Sequence, residues 1–339
     1  MNEPEQTILP AEETQTDLKH EARKAYTRAL LNIAVFWAIS IGLQMIFKQI
    51  LPKDAPKYVS VLLTFAPMYF IAFPIYLLIS RKLPASPPEK HRMHIGQILL
   101  AFPCCEFIAI AGNLVGTIIN LILFLILGKR TDSTMLLEGV FGEASWAFII
   151  AAVIFAPVVE EIMFRKVLID RTRKFGELPA ILISGVMFGL FHGNFTQFFY
   201  AAGLGILFAW IYVRTGKIIH TIALHCLVNF WGSALPLILM QGIDKNVIKE
   251  MLVNQNYSVM IENIRQFIPF VLLVIVNWCL ALAGLILLIV NRQRITLQPA
   301  EKELPKNQRF SAAVCNYGFL ILLAACVFEF VYQILFSKQ

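Results

Sequence analysis

Long apolar runs separated by short polar stretches set the pattern of this chain. A bilayer crossing takes about 20 apolar residues. By that measure nine candidate spans lie at about 26–47, 58–80, 95–125, 145–169, 178–193, 197–213, 218–240, 266–290 and 310–336. The fifth and sixth are short and joined only by Gly193 to Thr196. The third is too long for one straight crossing, which predicts a tilt or a kink near Pro103. Strand-like alternation is absent, so a barrel is not expected. The pattern predicts an all-α, polytopic transmembrane helical bundle. It divides into a disordered tail over 1–24, an eight-helix membrane core over 25–292, a polar linker over 293–309 and an extra C-terminal span over 310–339. That last span reads as an appendage.

Composition agrees with the pattern. The chain has 339 residues, 58% hydrophobic and only 15% charged, with a mean hydropathy of +0.68. The net charge of +7 would suit a nucleic-acid partner in a polar protein. Here it fits basic loops instead, so the bilayer is the expected partner and nucleic acid is not. Arg81, Lys82, Lys90, Arg92, Arg171, Arg173, Lys174, Arg214, Lys217, Arg292 and Arg294 fall on one side if every span crosses once. The other side is less basic, which predicts a cytoplasmic N-terminus. The cysteines lie in apolar runs without a C-x-x-C pair, so neither a zinc knuckle nor a disulfide framework is indicated. The polar start resembles no signal peptide.

Chemistry enters where polar residues interrupt the apolar runs. Glu160 and Glu161 sit side by side in span four. An ionised side chain at membrane depth costs roughly 2.5 kcal/mol or more, so it is a functional hypothesis by default. Two adjacent acids cost more, because like charges disfavour each other's ionisation. Arg165 follows Glu161 at i,i+4 and shares its helix face. Taken alone this is a structural ion pair, with Arg165 snorkelling to the surface, but that leaves Glu160 unexplained. Span five ends with Phe188 and His192, again i,i+4. Span seven carries His225 and Asn229 on one face, and His220 nearer its start, which reads as interfacial. These residue types suit hydrolysis. A Glu can act as general base toward a water, and a His can share that proton or orient the water. A second His and an Asn amide can donate to a developing oxyanion. Alternatively Glu160, His192 and His225 could supply the three ligands of an open zinc site, although no H-E-x-x-H signature is present.

The three motifs, Glu160-Glu161-x-x-x-Arg165, Phe188-x-x-x-His192 and His225-x-x-x-Asn229, stand in that order on separate helices. In this they resemble the CAAX prenyl endopeptidase type II family and its bacterial relatives, the CPBP intramembrane proteases linked to bacteriocin self-immunity. The likeness covers about 140–235. It implies an eight-helix core around a cavity open to the cytoplasm, and hydrolysis of a peptide bond in a peptide or membrane-protein substrate. It implies that Glu160 and His192 activate water, that His225 and Asn229 form the oxyanion hole, and that Glu161 and Arg165 support them. Whether a metal takes part is unsettled in that family, and the metal-free route is favoured here. The implied location is a bacterial plasma membrane.

Other polar residues have plainer readings. Glu106, Asn113 and Asn120 recur every seventh residue in span three, beside Gly112 and Gly116. Helix packing through small residues accounts for them, while the functional reading makes Glu106 and Asn113 cavity wall. Glu329 in the last span has no basic partner in its own helix. Two other functions compete with a protease: a non-catalytic immunity or scaffold protein of the same fold, and an ion-coupled transporter with a Glu–His relay.

Overall fold

Seven helices in the computed structural model are long and apolar enough to cross a membrane. The structure describes residues 11–51, 57–128, 145–252 and 254–336, and among these no strand occurs. The protein is an integral membrane helical bundle. We label its helices α1 (Ala11–Ile50), α2 (57–80), α3 (Ile95–Leu127), α4 (145–172), α5 (Glu177–Leu190), α6 (Phe195–Thr215), α7 (Ile218–Gln241), α8 (Lys245–Leu252), α9 (Ser258–Glu262), α10 (Ile264–Val290), α11 (Lys306–Val314) and α12 (Tyr317–Phe336). Expected spans two and five take a different form: they appear as shorter apolar helices, Phe65–Ser80 and Glu177–Leu190.

The short α5 matters most for the site. Its 14 residues reach about 21 Å at 1.5 Å per residue, less than the ~30 Å hydrocarbon core. The chain therefore turns back before a full crossing. At the turn Gly193 takes φ +69°, a conformation a Cβ would disfavour. Asn194 then caps α6: its Oδ1 accepts from Gln197 N at 2.9 Å, and its Nδ2 donates to the His192 carbonyl at 2.8 Å. Irregular backbone is tolerated within a bilayer only where protein covers it. The cover comes from α12, whose Glu329 side chain lies against Gly193 and whose Phe330 meets Phe195 at 4.8 Å and Phe198 at 6.0 Å. The last span is thus no appendage; it shields the turn that carries His192. Asn194→Ala should cost about 1 kcal/mol of stability, the usual penalty for losing an N-cap, read by thermal unfolding in micelles.

The tail expectation also changes. Residues 11–24 are helical and continue α1, while 1–10 lie outside the described residues. Ala22 is fully buried with Phe175, Leu304 and Ala312. Glu21 pairs with Lys174 at 2.8 Å and Lys302 at 3.2 Å. The linker supplies two of these partners, Lys302 and Leu304. Its Lys302 and Leu304 amides donate to the carbonyls of Lys174 and Phe175 at 2.8 and 3.2 Å. Such long-range contacts are invisible to a reading of local polarity, which is why the segment looked like a solvated tail. On the same end of the bundle, buried Glu177 is held by Arg214 and by Arg173, and accepts from the Gln298 amide at 2.8 Å.

At Asn120 and its neighbouring glycines the polar stripe of α3 serves packing. A Cβ on Gly116 would stand 2.3 Å from the Phe195 carbonyl, and one on Gly112 2.4 Å from Tyr200 N. These two glycines let α3 lie directly on the α6 backbone. Asn120 donates across the contact to Thr196 Oγ1 at 2.6 Å.

Candidate active site

Glu160 and Glu161 end the piece Ala156–Glu161 of α4, which has π-helical segments on both sides, Ala151–Phe155 and Ile162–Ile169. Such insertions are frequent at functional sites. The first has a local cause. Ala156 N–H bonds to the Ala151 carbonyl, and Pro157 has no N–H to offer the next carbonyl. The Ala152 carbonyl is left without a donor in its own helix, and Asn229 Nδ2 fills the place at 2.8 Å. Asn229 thereby ties α7 to the turn preceding Glu160, and keeps one amide N–H for another acceptor.

Glu161 and Arg165 are both completely buried and meet at 3.1 Å, Oε2 to Nε. The angle is not that of a hydrogen bond, so the contact is one of charge. Arg165 does not snorkel. Its guanidinium lies 4.6 Å from the Phe188 ring centre and 5.7 Å from that of Phe208, where the ring faces attract a cation. One Nη also donates to the Gly205 carbonyl at 3.4 Å.

Glu161 has a second partner. Its Oε1 lies 3.0 Å from His225 Nδ1. A carboxylate only accepts, so Nδ1 carries the proton and Nε2 faces away. That Nε2 points to Glu160, 3.7 Å from its Oε2. Two carboxylates therefore flank one imidazole, one beside each ring nitrogen. His192 is fixed differently. Its Nδ1 lies 2.9 Å from the Phe188 carbonyl, which also only accepts, so its Nε2 holds a free lone pair. The two imidazoles flank one phenyl ring: His192 meets Phe188 edge-on at 5.0 Å and His225 at 5.6 Å. Three helices and the turn after α5 therefore deliver Glu160, Glu161, Arg165, Phe188, His192 and His225 to one cluster.

Not every predicted residue joins it. Glu106 is buried in α3 and makes no ion pair among the described residues. Asn113 is exposed, and its Oδ1 accepts from Thr117 of its own helix at 3.4 Å; the cavity-wall expectation finds no support at this residue. His220, near the start of α7, is buried by its protein neighbours and stands apart from the cluster. Two participants were not anticipated. Phe208 backs both Arg165 and His225, the latter at 5.5 Å between ring centres, and the Ala152 carbonyl anchors Asn229. An apolar ring in an apolar helix carries no local signal, and Pro157 was the one clue to the free carbonyl. Among the described residues no group of three His, Cys, Asp or Glu is arranged to hold a metal ion.

Residues 142–231 match the family model described as Type II CAAX prenyl endopeptidase Rce1-like. That stretch is similar to this family. It contains all three motifs and the whole cluster described above. The chain is also 31% identical over 157 residues to a Bacillus subtilis (strain 168) protein named "Putative membrane peptidase YdiL". The similarity covers 46% of this chain and 64% of that relative's length, just under two thirds. No solved structure matches. The likeness in the motif order thus holds over the Rce1-like stretch, and α1–α3 and α8–α12 lie outside it.

Proposed function

We propose that the protein is an intramembrane endopeptidase that hydrolyses a peptide bond of a peptide or membrane-protein substrate at this cluster. The observation that carries the reading is the different fixing of the two histidines that flank Phe188, one of them beside Glu160. Glu160 takes a proton from a water as its oxygen bonds to the carbonyl carbon, and the carbonyl π pair moves onto oxygen. His192, with Nε2 unprotonated, accepts a hydrogen bond from the same water and orients it. In this reading His225 carries a proton on each ring nitrogen and donates from Nε2 to the oxyanion, and the second Asn229 N–H joins it. Glu160 then returns its proton to the amine as the C–N bond breaks. Glu161 aims the His225 ring, as a buried acid does in a hydrolytic triad, and Arg165 balances its charge.

The endopeptidase family assigned to 142–231 and the peptidase name of the relative support this reading. The bacterial origin of that relative and the charge asymmetry of the loops support a bacterial plasma membrane, with the basic end in the cytoplasm. Purified protein in micelles, offered a quenched-fluorescent peptide library, should release fragments whose masses report one internal cut. A chelator should leave that rate unchanged. Loss of activity restored by one equivalent of zinc would overturn the glutamate mechanism in favour of a site using Glu160, His192 and His225.

A further inference from the structure

Tyr69 stands outside the family stretch, in a π-helical turn of α2, Met68–Ala72. It is 8% exposed. Its hydroxyl is buried and finds no hydrogen-bond partner among the described residues. Burying an unpaired hydroxyl costs on the order of 1–3 kcal/mol, so a Phe would serve packing better. Two turns on, Tyr76 shows the usual solution, donating to the Met163 carbonyl at 3.4 Å. The Tyr69 ring is held in place. It stacks on Phe155 at 5.6 Å, in the π segment preceding Glu160, and on Phe65 at 6.2 Å.

The ring lines a small pocket with Phe36, Val159, Glu160, Met163 and Phe191. Apart from the phenol, Glu160 is the one residue with a polar side chain among those six. The pocket has room for about one water molecule. A chamber of that size, with one carboxylate and one phenol among its lining residues, suits one small polar species.

We propose that Tyr69 is a further catalytic residue, whose hydroxyl donates to the attacking water while that water gives its own proton to Glu160. This rests on the endopeptidase reading above. A water has two lone pairs. With one accepting from Tyr69, the other is left for the carbonyl carbon, and rotation of the nucleophile is restricted. The phenol keeps its proton throughout: the water's proton goes to Glu160 and from there to the leaving amine. The role also accounts for the π turn in α2, which turns Tyr69 onto the Glu160 face of the neighbouring helix.

The test is Tyr69→Phe in the full-length protein, which removes one oxygen and keeps the ring stacks. The expected result is a fall in kcat of roughly tenfold or more, an unchanged KM, and a melting temperature equal to or above the parent's. Wild-type cleavage with an undiminished kcat in the variant would overturn the role of Tyr69 and leave the endopeptidase reading standing. So would a rise in KM alone, or a rate loss matched by a fall in melting temperature. Absence of cleavage by the wild-type protein would instead sink the endopeptidase reading itself.

Discussion

Glu160→Gln should abolish peptide cleavage by the purified protein while leaving its melting temperature unchanged. Removing a general base costs roughly 10²–10⁴-fold in rate. Here the residual rate should sit toward the low end, because the amide can neither take the water's proton nor return it to the leaving amine. Stability should survive for a structural reason. Glu160 keeps a fifth of its side chain accessible, and its ionic contact with His225 is long at 3.7 Å. Gln has the same shape and fits the same place beside Phe36, Val159, Met163 and Phe191. The measurement is fragment release from the peptide library, paired with thermal unfolding of both proteins. Cleavage at the parental rate would remove Glu160 from the chemistry. Parental biological activity in a variant that cannot cleave would favour the immunity or scaffold reading of the same fold.

How much of this was legible in the sequence depends on the range of the interaction. Glu161 and Arg165 are four residues apart, and their pairing follows from helix geometry alone. The apolar runs located the seven long spans, because bilayer thickness imposes a length that needs no tertiary knowledge. The three motifs could be ordered, yet the contacts between them could not be read. Nothing local says that His225 reaches Glu161 with one nitrogen and Glu160 with the other, or that His192 spends its Nδ1 on a backbone carbonyl. Those facts depend on how α4, α5 and α7 are rotated. Tyr69 was missed for a related reason. A tyrosine in an apolar span reads as one more hydrophobe until its hydroxyl is found without a partner. The helical start at Ala11 and the role of α12 were hidden because both depend on partners more than 100 residues away: Glu21 with Lys174, and Glu329 with Gly193.

Arg165→Met should lower stability by about 3–5 kcal/mol, the usual consequence of leaving one member of a buried ion pair uncompensated. Glu161 is completely buried, so it has no water to turn to, and the two aromatic faces that attract the guanidinium offer a carboxylate nothing. Cleavage should be lost together with stability, which by itself would not separate a scaffold from a working part. The double variant Glu161→Leu with Arg165→Met does separate them. Replacing both members of a buried pair by apolar residues of similar volume is often neutral or stabilising, so unfolding in micelles should return toward the parental midpoint. Activity should not return. Without Glu161, His225 Nδ1 loses the acceptor it holds at 3.0 Å, and the ring has neither a fixed tautomer nor a fixed aim at Glu160. A double variant that recovers cleavage along with stability would reduce Glu161 to a counter-ion for Arg165. One that recovers stability alone makes Glu161 the residue that positions His225, and divides the adjacent acids between two histidines: Glu160 for the proton, Glu161 for the ring.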